Sequence, residues 1–286
     1  MKIKITGDST IDLTEEQRKK WDIDVIGVIV SFEGKDYRDG IDITADELMD
    51  SIDKTGDLPK TAALNCEAYK EFFQQFFDQG YDAIVHFSFS SEMSSMAREA
   101  QKAASEMKNV YTIDTKSLSS GSGLLALYGA KLAKSGKYDA KTIAEKCEAR
   151  VPAVQASFVL NKLNLLHKGG RCSMIAVFGA NLFKIKPRIQ VLDGKMKVVG
   201  KYRGKMENVV SDYVKDVLQE YNNPDPTICF ITYTTASPEM LANIHKELEA
   251  YGKFEEIVES RASATITSHC GRDTIGILFL NDGKQE

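Results

Sequence analysis

Cysteine is sparse in this sequence of 286 residues, and no two cysteines stand in the CxxC spacing of a redox or zinc site. The five cysteines are Cys66, Cys147, Cys172, Cys229 and Cys270. An odd, scattered set is typical of reduced thiols in a protein core and not of a disulfide framework. We therefore expect a cytoplasmic protein.

Long apolar runs and an excess of positive charge are missing as well. No apolar run approaches the roughly 20 residues needed to span a bilayer. The opening residues MKIKITGDS lack the apolar stretch and cleavage site of a signal peptide. The formal net charge is -4, so the composition gives no sign of a basic surface that would neutralise a phosphate backbone. We expect neither a membrane-spanning segment nor a nucleic-acid partner.

The motifs of common enzyme classes are also absent. The chain contains no GxSxG nucleophile elbow, no HExxH zinc motif and no GxxxxGK[ST] phosphate loop. We therefore expect no catalytic residues, no metal site and no cofactor.

Strand-like runs alternate with amphipathic helical segments in the first half of the chain. The runs are rich in β-branched residues and cover residues 2–5, 25–32, 83–89 and 110–114. This alternation predicts an α/β fold in which a mostly parallel sheet is flanked by helices on both faces.

The second half has a different pattern. Its Asp193-Gly194 pair, between two strand-like runs, is a strong hairpin signal and predicts a mixed or antiparallel sheet. Pro152 follows a helical segment that starts near Asp139, and a helix commonly ends close to such a proline. We therefore predict two α/β domains, residues 1–152 and 153–286.

Hydroxyl-rich loops follow three of the predicted strands, at residues 7–10, 88–95 and 114–121. In open α/β sheets, ligands bind beyond the carboxyl ends of the strands. Ser94 and Ser95 precede a helical run over 96–107, so they either cap that helix or form an anion site at its N-terminus. For a single serine, capping alone is the favoured interpretation, but three such loops that could converge weaken it.

The stretch Gly121–Ala126 matches GxGxxA, a dinucleotide-binding pattern. Its glycines stand several residues after the strand that ends near Asp114, whereas the nucleotide loop follows its strand at once. We favour a turn of small residues that lets a helix pack closely on the sheet. The competing hypothesis is a nucleotide-dependent oxidoreductase or transferase that uses this stretch.

Eight short motifs, in order along nearly the whole chain, resemble the DegV family. They are GDSTIDL (7–13), YRDGIDIT (37–44), LPKTAALN (58–65), SSEMSS (90–95), DTKSLSSGSGLL (114–125), LNLLHKGGR (163–171), KPRIQVLDGK (186–195) and SHCG (268–271). Each motif alone is weak, but eight in the same order are specific.

The resemblance implies two α/β domains with a long-chain fatty acid bound between them. In this family, carriers called FakB in some bacteria present the acid to an ATP-dependent kinase that phosphorylates its carboxylate. Matched residue by residue, the family's carboxylate-binding threonine, serine and histidine fall on Thr61, Ser94 and His269. The resemblance also places Ala62 and Ser95 beside the head group.

The sequence differs from the usual family pattern near that head group. Residues 62–64 are Ala-Ala-Leu where Ser-Gln-Pro is usual, residues 95–96 are Ser-Met where Gly-Thr is usual, and residues 272–273 are Arg-Asp where Pro-Gly is common. Because these residues lie beside the implied head-group site, the ligand could differ from the usual fatty acid.

A partner surface is also implied by the resemblance. The family's kinase-facing arginine falls on Arg171, which follows two glycines that equally fit a helix C-cap. Arg171 and Arg203 could belong to a basic docking patch, together with Lys168, Lys201 and Lys205. Scattered basic residues of this kind also occur on ordinary solvated surfaces.

Overall fold

The computed structural model describes residues 1–163, 165–166, 169–170 and 185–284. The strands in this part of the chain are β1 (Ile3–Asp8), β2 (Ile23–Ile26), β3 (Ile29–Phe32), β4 (Lys35–Arg38), β5 (Lys60–Ala62), β6 (Ala83–Ser88), β7 (Val110–Asp114), β8 (Val154–Val159), β9 (Lys186–Leu192), β10 (Lys195–Tyr202), β11 (Cys229–Tyr233), β12 (Ile257–Arg261) and β13 (Ile275–Leu280). The α-helices in the same part are α1 (Glu15–Trp21), α2 (Ala45–Thr55), α3 (Cys66–Asp78), α4 (Met96–Ser105), α5 (Ser120–Ser135), α6 (Ala140–Arg150), α7 (Met206–Glu220), α8 (Pro238–Tyr251) and α9 (Ala264–Cys270).

The first sheet is parallel throughout, with the order β2-β1-β6-β7. Strand β6 is buried along its whole length, and its adjacent residues Ile84 and Val85 pack into different apolar clusters. Ile84 contacts the cluster formed by α3 and α4, and Val85 that formed by α5 and α6. Because side chains alternate along a strand, this confirms the prediction of a sheet covered on both faces.

The second sheet is mixed and has the order β10-β9-β8-β13-β11-β12. Strands β11 and β12 are parallel, and the other neighbours are antiparallel. The predicted hairpin joins β9 to β10, where Leu192 pairs with Lys195. Asp193 and Gly194 both have positive φ, 51° and 80°, as a two-residue turn of type I′ requires. The predicted mixed sheet is therefore confirmed.

A third sheet was not predicted. Strands β4, β3 and β5 form a small antiparallel sheet, so the run at 25–32 is not one strand but two, β2 and β3, in different sheets. The break lies at Gly27 and Val28. A Cβ on Gly27 would stand 3.1 Å from the Asp39 carbonyl oxygen, and the Val28 N–H donates to the Ser9 hydroxyl instead of a strand partner.

Helix α5 packs against both large sheets. Its Leu124 and Leu125 share one apolar cluster with Val85 of β6 and with Ala156 and Leu278 of the second sheet. The two large sheets lie on either side of the predicted boundary after residue 152, but this core is continuous across it. The boundary therefore stays a prediction. Among the described helices, none has both the length and the apolar character that a bilayer crossing requires.

Candidate functional site

A cavity of about 250 Å³ lies between the first half of the chain and α9. Its polar wall contains Thr10, Thr61, Ser94, Ser95, Thr265 and His269. Its apolar wall includes Val28, Phe89, Met93, Leu118, Met196 and Ile266. Concave, mostly apolar pockets with a few convergent polar groups are typical ligand sites in proteins. The structure thus brings Thr61, Ser94 and His269 to one cavity, and Ala62 also lines it.

Thr61 and His269 contact each other directly. The Thr61 hydroxyl lies 2.9 Å from Nε2 of His269, although 208 positions separate the two residues. Thr61 is on β5, where it pairs with Val30 of the small sheet, and His269 is in the last turn of α9. When Nε2 carries the imidazole proton, it donates to the threonine oxygen and leaves the threonine O–H able to donate to a ligand.

Ser94 and Ser95 stand where α4 begins, as the sequence predicts. Ser95 is the N-cap residue, but its side chain makes no cap hydrogen bond. The Ser94 hydroxyl accepts a long bond of 3.4 Å from the Met96 N–H, and its own proton remains able to donate. Capping by these serines is therefore weak. The helix N-terminus adds partial positive charge at the same place.

The differences from the usual family pattern lie at the cavity or next to it. Ala62, Ala63, Ser95 and Met96 all line the cavity wall. Arg272 instead points to α2, where it forms ion pairs with Asp50 at 3.2 Å and Asp53 at 2.6 Å. The third difference thus links the end of α9 to the helix that accompanies the small sheet.

Several residues of the cavity wall were not predicted from the sequence. Met93, Met96 and Met196 supply adaptable thioether side chains. Cys270 lines the wall as a thiol whose pKa is raised to about 12 by burial, so it stays neutral and contributes an apolar surface. Thr10 lies in a hydroxyl-rich loop that the sequence had indicated, but no role was assigned to it.

Asp39 connects the small sheet to α9. Its carboxylate accepts hydrogen bonds from the N–H groups of Ala264 at 2.9 Å and Thr265 at 3.1 Å, and from the Ser9 hydroxyl at 3.1 Å. Asp39 is only 1% exposed, and burial raises the pKa of its carboxyl group. Because Thr61 belongs to the small sheet and His269 to α9, this connection helps to fix the distance between them.

Asp12 supports the same end of α9. Its carboxylate accepts from the Ser263 N–H at 3.0 Å and from the Ser119 hydroxyl at 2.5 Å. Both Asp12 and Asp39 belong to motifs on which the resemblance rests, GDSTIDL and YRDGIDIT, but sequence reasoning gave neither a role. Burial raises the pKa of Asp12 to about 8, opposed by the Ser119 hydrogen bond and reinforced by the nearby Asp39 charge.

The raised pKa of Asp12 predicts that the contribution of this residue to stability falls as the pH rises from about 4 to about 8. An unfolded aspartate has a pKa of about 3.9, so the folded chain binds this proton more tightly. The stabilisation is complete below about pH 4 and is lost as the pH rises through about 8, by at most about 1.4 kcal/mol per pH unit. Asp12→Asn mimics the protonated form, so its free energy of unfolding should vary less with pH in urea titrations from about pH 5 to 8.

The matched control is Asp42→Asn. The side-chain hydrogen bond from Arg38 lowers the pKa of Asp42 to about 2, so both of its pKa values lie below the titrated range. This variant should keep the wild-type slope, and Asp39 should maintain a residual slope in Asp12→Asn, because its pKa is raised too. An Asp12→Asn slope equal to that of the wild type would contradict the prediction.

The Gly121–Ala126 stretch is not a loop. It lies in the first turns of α5, and all its residues are buried. A Cβ on Gly123 would stand 2.4 Å from the Ile11 carbonyl oxygen, so this glycine permits close packing of α5 on the chain after β1. The structure therefore favours the packing interpretation and gives no support to a nucleotide-binding role.

The implied partner surface includes two arginines, Arg171 and Arg203. Arg171 lies outside the described residues, as does Lys168. Arg203 is exposed just after the end of β10. It is seven positions beyond Met196 of the cavity wall, or roughly 20 Å at the rise of a strand. Arg203 therefore lies away from the cavity, on the outer surface.

Comparison with known proteins gives a consistent result. The family model described as "Uncharacterised protein, DegV family" matches residues 2–282. A DegV domain-containing protein from Clostridium acetobutylicum is 31% identical over 284 residues, which cover 98% of each chain.

Two solved structures resemble the whole chain. One is described as showing fatty acid binding of a DegV family protein from Thermus thermophilus, with a TM-score of 0.89, 23% identity and coverage of 98% of this chain and 100% of that one. The other is described as a stearic-acid-binding protein from Eubacterium ventriosum, with a TM-score of 0.84, 26% identity and coverage of 98% of each chain.

Proposed function

The chain belongs to the DegV family, and from that premise we propose that it binds one long-chain fatty acid in the cavity between the two halves of the chain. The observation that carries the proposal is the composition of this cavity. It combines the Thr61–His269 pair and the Ser94 hydroxyl with a mostly apolar wall.

The polar side of the cavity suits a carboxylate. Moving a carboxylate out of water costs several kcal/mol unless hydrogen-bond donors compensate for the lost hydration. Thr61, Ser94 and the start of α4 supply such donors, and His269 orients the Thr61 hydroxyl. Hydrogen bonds to a charged acceptor are the stronger kind, which favours an acid over a neutral lipid.

The apolar side suits an acyl chain. A tail of about sixteen carbons contributes a gross transfer free energy of about 12 kcal/mol at about 0.8 kcal/mol per methylene. A second cavity of about 30 Å³ shares Leu118, Ile266 and Cys270 with the first and reaches Leu278 of the second sheet. We propose that the tail extends along this apolar path, between α9 and the sheet.

The proposed role is that of a carrier and not of an enzyme. The bound acid would be presented, in the cytoplasm, to a separate ATP-dependent kinase that phosphorylates the carboxylate. Arg171 and Arg203 are the residues proposed to face this kinase, and the exposure and outward position of Arg203 are consistent with such a role. Thr61, Ser94 and His269, with Ala62 and Ser95 beside them, are proposed to bind the head group.

Protein purified from a bacterial host should carry roughly one equivalent of a fatty acid of about 14 to 18 carbons, because the transfer energy of such a tail favours retention. The measurement is mass spectrometry of the solvent extract of denatured protein. The same extract from a variant with both Ser94→Ala and His269→Ala should contain much less acyl species.

A well-folded protein that yields no acyl species, and that takes up none after incubation with fatty acids, would contradict the proposed function. Release of a nucleotide instead would favour the oxidoreductase or transferase hypothesis. Addition of a fatty acid kinase and ATP tests the carrier role separately, because fatty-acid binding without phosphorylation would leave binding established and presentation refuted for that kinase.

A further inference from the structure

Two buried hydroxyl groups face the cavity without a partner. Thr10 is 1% exposed and Thr265 is 7% exposed, and both line the cavity wall. Neither Oγ1 atom forms a hydrogen bond with any residue in the described part of the chain. Since nearly all buried polar groups in proteins are hydrogen-bonded, two such hydroxyls at one cavity require a partner from within the cavity, either a ligand or an ordered water.

The two threonines come from opposite halves of the chain. Thr10 lies in the short 3₁₀ helix Ser9–Ile11 that follows β1, and Ser94 stands after the neighbouring strand β6. Thr265 lies one helical turn before His269 on α9, so the two share a face of that helix. Both unpaired threonines therefore line the same cavity as the proposed head-group residues.

Asp39 does not remove the need for a partner at Thr265. The Thr265 hydroxyl lies close enough to the Asp39 carboxylate to oppose part of the rise that burial causes in the pKa of Asp39, but the pair falls outside hydrogen-bond geometry. The Asp39 oxygens accept instead from two backbone N–H groups and from Ser9. The Thr265 hydroxyl is thus able to donate into the cavity.

We propose that Thr10 and Thr265 are further head-group residues, whose hydroxyls donate hydrogen bonds to the carboxylate of the bound acid. This inference rests on the proposed function. An ionised carboxylate accepts at about four lone-pair positions. Thr61 and Ser94, with the start of α4, fill some of them, and Thr10 and Thr265 provide donors for positions that remain. Recognition of the carboxylate is then shared between both halves of the chain.

The test compares Thr10→Val and Thr265→Val, which remove the hydroxyl and keep the shape, in delipidated protein. Each variant should bind palmitic acid about tenfold or more weakly, because a bond to a charged acceptor is lost. Binding of 1-hexadecanol, which has the same chain length but no carboxylate, should change much less. The ligand-free variants should melt at the wild-type temperature or above it, because an unpaired buried hydroxyl has been removed.

Serine variants provide the matched control. Thr10→Ser and Thr265→Ser keep the hydroxyl and should keep the affinity for palmitic acid, whereas the alanine variants should lose it. The comparison of serine with alanine still tests the role of the hydroxyl if a valine variant fails to fold. The inference is overturned if the serine and alanine variants bind equally well, or if palmitic acid and 1-hexadecanol are affected alike.

Failure of the proposed function can be distinguished from failure of the roles proposed for Thr10 and Thr265. Wild-type protein that binds no fatty acid would refute the proposed function itself. Wild-type binding that Ser94→Ala weakens, but that the valine variants at Thr10 and Thr265 leave unchanged, would refute only the present inference.

Discussion

Asp39→Ala is expected to destabilise the protein by about 2 to 4 kcal/mol and to weaken fatty-acid binding as well. The substitution leaves the N–H groups of Ala264 and Thr265 without their acceptor at the start of α9. Loss of a buried carboxylate charge offsets part of this cost, because burial already disfavours that charge. Urea unfolding of the delipidated protein measures the first effect, and titration with palmitic acid measures the second.

Asp39→Asn is the matched control. It retains one oxygen acceptor and nearly the same shape, but its NH2 group faces the N–H of Ala264 or Thr265, so we expect it to recover only part of the stability that alanine loses. An alanine variant as stable as the wild type would show that the hydrogen bonds of Asp39 do not hold α9.

A double-mutant cycle tests how Asp39 affects the site. If Asp39 acts by positioning α9, the effects of Asp39→Ala and His269→Ala on affinity should be less than additive, because His269 is on that helix. Asp39→Ala and Ser94→Ala should be close to additive, since Ser94 is held by the loop after β6. Additive effects in both pairs would mean that Asp39 stabilises the fold without positioning His269.

Removal of the head-group donors should have the largest effect on function. Thr61→Ala, Ser94→Ala and His269→Ala should each weaken fatty-acid binding about tenfold or more, since each removes or misorients a bond to a charged acceptor. Ser94→Ala combined with His269→Ala should weaken it about a hundredfold or more if the two act independently. Rebinding of palmitic acid to delipidated protein is the measurement.

The hydrogen bond between Thr61 and His269 predicts that the effects of their alanine variants on affinity are coupled. Because the two residues share one bond of 2.9 Å, the double variant of this pair should lose less than the sum of its single variants. Arg203→Ala, on the exposed outer surface, should leave the affinity unchanged. If Thr61→Ala, Ser94→Ala and His269→Ala all keep the wild-type affinity, the carboxylate lies elsewhere in the cavity.

The sequence predicted those parts of the fold that local patterns encode. Alternating strands and helices indicated a parallel sheet with two covered faces, because a crossover helix must lie on one face of such a sheet. Asp193-Gly194 indicated the β9–β10 hairpin, because both residues tolerate the positive φ of that turn. These signals lie within a few residues of one another, so no distant contact was needed to interpret them.

The site required more than local pattern. Ser94 and Ser95 could be identified at a helix start from the sequence alone, whereas Thr61 and His269 were singled out through the family resemblance. No periodicity connects two residues that are 208 positions apart. For the GxGxxA match, the distance from the preceding strand already disfavoured a nucleotide loop, and the packing of α5 against the Ile11 carbonyl oxygen identified the stretch as part of a buried helix.

Tertiary structure alone decided the small sheet and the roles of Asp39 and Thr10. The β-branched pattern of 25–32 does not show whether the run pairs in one sheet or in two, and the division lies at Gly27, where the chain around Asp39 approaches closely. The side chain of an aspartate or threonine gives no local sign of whether it accepts from a distant helix, as Asp39 does, or faces a cavity without a partner, as Thr10 does. The reason is physical: hydrogen-bond satisfaction of a buried group is set by whichever atoms the completed fold brings within about 3 Å of it.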